Sequence, residues 1–231
     1  MARPVGALTL TAKLSALLCA MVLFVLVALL AVYLVSAPSV VSLLTRLTQP
    51  NYILPEEGGM LEWSIATAKM TADFVRSGNQ ETEMIELYRQ DESAGLESIG
   101  HLLDVRDVFS GAWWVAGISA VMVAAAAVIA YSRRTFTWIR YTMRSAAVLC
   151  VGIPLVLGLV VGVAFGPLFT FFHRVFFPQG NWQFPTDSYL IRTFPEPFWI
   201  SATALILVLM MLAGLLLYVG ARRLPAPTEA C

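Results

Sequence analysis

Residues 145–170 read SAAVLCVGIPLVLGLVVGVAFGPLFT and contain no Asp, Glu, Lys, Arg or His over 26 residues. A helix of about 20 apolar residues spans the hydrocarbon core of a bilayer, and a helix satisfies its own backbone hydrogen bonds there. Pro154 predicts a kink in this helix, because proline removes one backbone donor. Three further uncharged segments predict membrane helices at about 14–36, 112–131 and 198–220.

The composition of the whole chain agrees with a membrane location. Hydrophobic residues make up 58% of the 231 residues and charged residues 13%, and the mean hydropathy is +0.75. Soluble domains carry about 25% charged residues, so this chain has too few charges to cover a surface in water. The three cysteines are too few for a disulfide framework, and no basic run interleaved with aromatic residues indicates a nucleic-acid partner. We therefore predict an all-α integral membrane protein.

The distribution of charge predicts how the four helices are oriented. The N-terminus, the loop between the second and third spans and the C-terminus together hold 8 basic residues and one acidic residue. The other two loops hold 7 basic and 14 acidic residues. Because basic residues are enriched in cytoplasmic loops, we expect both termini in the cytoplasm and two loops outside, at about 37–111 and 171–197. Residues 35–37 resemble a signal-peptidase site, but the first span is long for a signal peptide and we expect it to be retained.

The long first outer loop has helical periodicity and predicts a helical extracellular cap. Pro55–Glu57 is a suitable helix start, apolar residues recur at helical spacing from Leu61 to Ala72, and residues 77–79 are a stop signal. A second helix is predicted at about 82–90. The twelve acidic residues in this loop are interpreted as a solvated surface.

The chain has two histidines, His101 and His173, and both lie on the predicted outer side near the lipid headgroups. A single histidine at this level is more often part of an interfacial belt, but two on one side form a candidate catalytic pair. Asp104 shares a helix face with His101 and is a candidate for holding its imidazole, with an ordinary solvated carboxylate as the alternative. We expect no metal site, because no cysteine or HExxH spacing supplies further ligands.

Aromatic residues are concentrated around the second outer loop. Twelve of the 26 aromatic residues of the chain lie between Phe165 and Trp199. An interfacial belt is the default explanation for such residues. Turn-forming residues at Pro178, Gly180-Asn181 and Pro185 interrupt the cluster, which favours a folded pocket for an acyl or glyceryl group.

These residues also carry a family resemblance. Residues 171–184, FFHRVFFPQGNWQF, are followed by Asp187, by LIR at 190–192 and by FPEPFW at 194–199. This region resembles the signature of the bacterial lipoprotein intramolecular transacylases, and HLLDV at 101–105 is similar to their other signature. The four spans, the long first outer loop and the short second one match that family along nearly the whole chain.

The resemblance implies an enzyme of the bacterial cell membrane that acts on a diacylglyceryl lipoprotein in the outer leaflet. Such enzymes move an acyl chain from the glyceryl sn-2 oxygen to the α-amine of the N-terminal cysteine, which gives the lyso form. It implies His101 and His173 as the catalytic pair, and we expect a monomer in contact with membrane lipid. The positions expected to bind substrate or support the site are Asp104, Phe176, Asn181, Trp182, Phe184, Asp187 and Arg192.

The chemistry of the reaction fits histidine without a cofactor, because an amide is more stable than an ester and the transfer is downhill. We assign His173 as general base and then general acid, and His101 as the donor to the oxyanion. The sequence leaves the opposite assignment open. Two other functions also remain open: a non-catalytic membrane sensor or scaffold, and an intermolecular acyltransferase or lipid hydrolase.

Overall fold

The computed structural model describes residues 8–49 and 60–225, so the predicted helix start at Pro55–Glu57 lies outside the described residues. Over these ranges the chain is helical and contains no strand. The helices are α1 (Leu10–Val35), α2 (Pro38–Thr48), α3 (Met60–Ser77), α4 (Glu81–Arg89), α5 (Gly95–Ser132), α6 (Phe136–Phe176), α7 (Tyr189–Thr193) and α8 (Glu196–Arg223).

In the part of the chain that the structure describes, four helices, α1, α5, α6 and α8, are long and apolar enough to cross a membrane, which confirms the predicted number of spans. Large apolar side chains on them are exposed, such as Leu159 at 73% and Val163 at 87%, as expected for surfaces that contact lipid. The helices are longer than the uncharged segments: α5 already begins at Gly95 and α6 continues through Phe176. The two histidines therefore lie on helices that continue from membrane spans, whereas the sequence placed them in the outer loops.

The kink predicted at Pro154 is found at another position of α6. The dihedral angles leave the helical region at Ala164, where φ is −148° and ψ is 44°. Pro167 follows three residues later, and a proline ring clashes with the carbonyl four residues before it, here that of Val163. We attribute the break to Pro167, because it lies where that clash would fall.

The described chain divides into two compact units. One consists of residues 8–31, 114–158 and 207–225. In this unit α6 and α8 pack closely at Gly214, where a Cβ atom would lie 3.0 Å from the Cβ of Cys150. Arg140 of α6 also links these two helices, because it donates hydrogen bonds to the backbone carbonyls of Ala221 and Leu224 at 3.3 and 3.0 Å.

The second unit consists of residues 32–49, 60–113 and 159–206, and it contains the histidines, α2, α3, α4 and α7. The helical content predicted for the long loop is confirmed, since α3 ends at Ser77 and α4 covers the predicted second helix. Phe74 on α3 and Tyr88 on α4 are fully buried, and Thr71 lies within hydrogen-bonding distance of the Tyr88 hydroxyl at 3.2 Å.

Two buried polar residues, Asp91 and Gln49, hold residues 171–197, here called the aromatic loop, against the rest of this unit. Asp91 Oδ2 accepts a hydrogen bond from the backbone N–H of Tyr189 at 2.8 Å, and its Oδ1 accepts from the Ser93 hydroxyl at 2.7 Å. Gln49 Nε2 donates to the carbonyls of Arg192 and Thr193 at 2.7 and 3.0 Å. Both ends of α7 are thereby fixed, and the segment that the sequence treated as a loop is a folded part of the unit.

We expect Asp91→Ala to destabilise the folded state by about 1–3 kcal/mol, because the Tyr189 N–H loses its buried acceptor. Burial by itself raises the pKa of Asp91, but the hydrogen bonds from Tyr189 and Ser93 outweigh it and hold the pKa below its usual value. The stabilisation is therefore present above the unfolded pKa of about 4 and is lost as the pH falls through the folded pKa. Thermal unfolding of the detergent-solubilised protein between pH 7 and pH 3 measures it.

Glu92→Ala is the matched control for this prediction, since Glu92 is the exposed neighbouring carboxylate. It should leave the unfolding temperature at pH 7 within about 1 °C of the parent, as surface substitutions usually do. Equal stability of Asp91→Ala and Glu92→Ala would show that Asp91 does not hold α7.

Candidate active site

The two histidines meet in the fold although 72 positions separate them in the sequence. His101 lies in the second turn of α5 and His173 in the last turn of α6. Their ring centroids are 6.0 Å apart, with an angle of 28° between the planes. The two histidines are only 6% and 8% exposed. Two imidazoles this close together can both reach one substrate group.

The helix itself fixes the orientation of the His173 ring. Its Nδ1 lies 2.8 Å from the carbonyl oxygen of Phe169, one turn earlier in α6. A carbonyl only accepts hydrogen bonds, so Nδ1 carries the proton and donates it. The neutral ring then has its lone pair on Nε2, which is the nitrogen left to accept a proton from a substrate.

The His101 ring is held less directly, next to Asn181 of the aromatic loop. The Asn181 side chain interacts with this ring. Within the described chain, His101 Nδ1 and Asn181 Oδ1 are both buried and neither has a hydrogen bond of regular geometry. The two atoms are complementary, since a protonated Nδ1 donates and an amide oxygen accepts.

Asp104 accepts hydrogen bonds from the aromatic loop and not from the His101 imidazole. This corrects the expectation from the sequence that Asp104 holds that ring. Its Oδ2 accepts hydrogen bonds from Gln179 Nε2 at 2.9 Å and from Asn181 Nδ2 at 2.5 Å. Gly180, between the two amides, has a φ of 82°, a conformation that favours glycine and turns both side chains toward one carboxylate. Asp104 therefore acts on His101 through its charge and through the orientation of Asn181.

Aromatic rings enclose both imidazoles. Phe177 contacts both, at centroid distances of 4.7 Å from His101 and 5.6 Å from His173. Trp182 lies 5.1 Å from His173, and Phe184 lies 5.5 Å from His101. An apolar shell disfavours a charged imidazolium, so it favours two neutral rings before substrate binds.

Not every residue expected at the site is brought to it. Phe176 is 46% exposed and contacts the ring of Phe172 at 4.7 Å, with no ring contact to either histidine. Asp187 is exposed and, in the described structure, makes no hydrogen bond to the pair. Arg192 is an exposed residue of α7 whose carbonyl accepts from Gln49. These three residues lie on the surface of the loop.

Sequence reasoning missed several residues that shape the site. Phe169 and Phe177 each lie four residues from His173, so they would have been recognised as ring neighbours if α6 had been extended beyond residue 170. Gln179, Gln49 and Asp91 carried no local signal, because their partners are distant in sequence. Within residues 8–49 and 60–225, no three His, Cys, Asp or Glu side chains are grouped so that they could hold a metal ion.

The fold and the site together define a class, a membrane-integral enzyme with two imidazoles on helices that continue from membrane spans. A model of the lipoprotein intramolecular transacylase family Lit matches residues 17–199, a range that includes both histidines. The chain belongs to this family and is an acyltransferase. No curated protein sequence matches it.

Solved structures with a similar fold come from the same family. The membrane integral lipoprotein intramolecular transacylase Lit from Bacillus cereus superposes with a TM-score of 0.72 at 15% identity, covering 92% of this chain and 94% of that one. A histidine-to-arginine mutant of that protein superposes with a TM-score of 0.59 at 15% identity, covering 90% and 91%. At this identity the likeness shows a shared fold, and the family match supplies the function.

Proposed function

We propose that His101 and His173 transfer the protons as this enzyme moves an acyl chain from the sn-2 oxygen of a diacylglyceryl group to the α-amine of the same lipoprotein's N-terminal cysteine. The observation that carries the proposal is the pair of buried rings, 6.0 Å apart, on two helices. The product is the lyso form, with one acyl chain on nitrogen and one on glycerol.

The substrate amine arrives mostly as an ammonium, since an α-amine has a pKa of about 7.7–8.0. Burial and then the charge of His173 lower the pKa of His101 to about 4, so its ring is neutral in the free site, and its uptake of this proton becomes favourable when an oxyanion forms beside the imidazolium. We assign that first step to His101 Nε2. The free amine then attacks the ester carbonyl carbon, and a C–N bond forms as the carbonyl oxygen becomes an oxyanion.

Burial and His173 lower the pKa of His101, and the Asp104 carboxylate opposes that shift, so a negative charge is available to stabilise the His101 imidazolium once it has formed. Asn181 Nδ2 donates a hydrogen bond to Asp104. Asn181 Oδ1 is therefore the atom available to accept a hydrogen bond from His101 Nδ1. Once protonated, His101 has an N–H at Nε2 as well, and that N–H donates to the oxyanion. The carboxylate of Asp104 stabilises the imidazolium through space, which is the electrostatic stabilisation that acyl transfer requires.

His173 completes the reaction at the leaving group. Its Nδ1 donates to Phe169, so Nε2 takes the proton that the attacking nitrogen must lose. The same proton then goes to the glyceryl oxygen as the C–O bond breaks. The products are an amide and an alcohol, and His101 returns its proton to water. No serine or cysteine nucleophile takes part.

The aromatic shell is proposed to hold the reactants and exclude water. Amine and ester belong to one molecule, and holding them in a reactive geometry is worth up to about 7–11 kcal/mol of barrier in favourable cases. Trp182 and Phe177 contact His173, so they border the place where water would attack the ester. The exposed residues Phe176, Asp187 and Arg192 are proposed to contact the substrate outside this shell.

We also propose that both termini face the cytoplasm and that the site opens to the outer leaflet. The charge distribution of the loops supports this orientation. The substrate would then reach the histidines from the bilayer, and a single chain supplies all the residues of the proposed mechanism, which is consistent with a monomer.

The proposal is tested with a synthetic diacylglyceryl lipopeptide and the purified protein. Fragmentation mass spectrometry should show one acyl chain on the cysteine nitrogen at unchanged total mass. Loss of one acyl chain would indicate a hydrolase, and a gain of one chain would indicate an external acyl donor. An unchanged substrate would contradict the proposal and favour a non-catalytic sensor or scaffold.

Asn181→Ala is expected to lower kcat by about 10–100-fold, because His101 loses a hydrogen bond that becomes charge-assisted and is worth about 1.5–3 kcal/mol. KM should change little, since the amide acts on the ring and not on the substrate. Gln179→Ala is the matched control: it removes the other amide bonded to Asp104 and leaves Asn181 in place. Equal rates for the two variants would contradict the positioning of His101 by Asn181.

A further inference from the structure

A cavity in the histidine-containing unit, lined by residues other than the histidine pair, points to a lipid. It has a volume of about 390 Å³, and its lining includes Tyr33, Arg76, Arg106, Asp107 and Trp113. None of these residues is in ring or hydrogen-bond contact with either histidine in the described structure. We propose that the cavity binds the headgroup of a zwitterionic aminophospholipid, with the phosphate on Arg76 and the ammonium on Asp107.

The cavity lies where α5 changes from polar to apolar sequence. Arg106 and Asp107 are followed by the uncharged segment 112–131. Trp113 stacks on Tyr33, from the last turn of α1, with ring centroids 4.4 Å apart. The neighbouring Trp114 is 73% exposed. Tryptophan and tyrosine are enriched at the boundary between lipid and water, which is the level of phospholipid headgroups.

Arg76 presents a guanidinium that is already fixed in place. Its Nη1 donates to the Ser36 hydroxyl at 2.8 Å and to the carbonyl of Tyr33. The guanidinium lies over the Tyr33 ring, 3.7 Å from the centroid. These contacts use only Nη1, so the other N–H groups can donate to a ligand. A planar guanidinium matches a phosphate with two parallel hydrogen bonds.

The remaining charges of the cavity match a zwitterion. Arg106 is paired with Glu81 at 2.8 Å, so its charge is already balanced. Arg76 makes no ion pair with a described residue, and neither does Asp107. Binding a phosphate and an ammonium together balances both. A headgroup with an amine adds an ion pair with Asp107 that an anionic headgroup without one lacks.

The active site and this cavity use different sides of α5. At about 100° per residue, Asp107 lies roughly 120° around the helix from His101. A lipid in the cavity therefore does not have to leave for substrate to reach His101. It would instead hold α1, α3 and α5 together at the level of the headgroups.

Native mass spectrometry of the full chain in detergent, titrated with dioleoylphosphatidylethanolamine, tests the proposal. We expect one bound lipid, and at least about tenfold weaker binding by Arg76→Gln, since a bidentate charged contact is lost. Arg89→Gln is the matched control, because Arg89 is an exposed arginine outside the cavity, and it should bind like the parent. Equal binding by Arg76→Gln and Arg89→Gln would overturn the site.

Asp107→Asn separates lipid recognition from folding, since this carboxylate has no ion pair to lose. It should weaken binding of dioleoylphosphatidylethanolamine but not of dioleoylphosphatidylglycerol, which has the phosphate without the ammonium. Equal weakening of both lipids would contradict recognition of the amine. Soluble O-phosphoethanolamine that binds as tightly as the lipid, or dioleoylglycerol that competes equally, would contradict a phospholipid headgroup site.

Discussion

His173→Ala is expected to reduce acyl transfer by about 10³–10⁴-fold, the upper part of the range for general acid–base catalysis, because one ring serves as both base and acid. The alanine variant keeps α6 intact, since the Phe169 carbonyl loses only a side-chain donor. Insertion into the membrane and the unfolding temperature should therefore stay close to those of the parent. The initial rate of lyso-lipopeptide formation, followed by mass spectrometry, measures the effect.

Arg174→Ala is the matched control, because Arg174 is the adjacent exposed residue in the same turn of α6. It should retain the rate of the parent within a few-fold. A His173→Ala protein that is folded and turns over as fast as Arg174→Ala would rule out His173 as the proton carrier.

His101→Ala is expected to reduce the rate by about 10²–10³-fold, the usual cost of removing one donor to an oxyanion. Glu97→Gln, an exposed position one turn earlier in α5, should be nearly unchanged.

The coupling between His101 and Asn181 gives a sharper test than either rate alone. Asn181 acts through the His101 ring, so Asn181→Ala should have little further effect once His101 is alanine. The two substitutions would then be strongly non-additive. If Asn181→Ala lowers the rate by the same factor in both backgrounds, Asn181 acts independently of His101.

The fold could be predicted from the sequence because few backbone structures can span a lipid bilayer. A long uncharged segment must be helical in a bilayer, so the four spans follow from hydropathy alone. Where the helices end does not follow from it. Hydropathy marks the region inside lipid, whereas α5 and α6 continue beyond that region with polar residues on them. The position of the break in α6 was also missed, because the segment contains two prolines and the sequence does not indicate which one interrupts it.

The site was predicted in part. The contacts that could not be predicted join residues that lie far apart in the sequence. His101, His173, Trp182 and Phe184 were singled out by residue type and by family signature, and the structure brings them together. Asp104 was expected to hold His101 because the two are neighbours on one helix. Its shortest hydrogen bond comes from Asn181, 77 positions away, and local spacing gives no information about such a pair.

A crossover experiment tests the central claim most directly. Two diacylglyceryl lipopeptides with different peptide sequences, one carrying deuterated acyl chains, are mixed with the purified protein and the products are fragmented. Intramolecular transfer at the histidine pair predicts that every product carries its own acyl chain on the cysteine nitrogen, and that His173→Ala forms this product at least about 10³-fold more slowly. Deuterated chains on the unlabelled peptide would contradict the account.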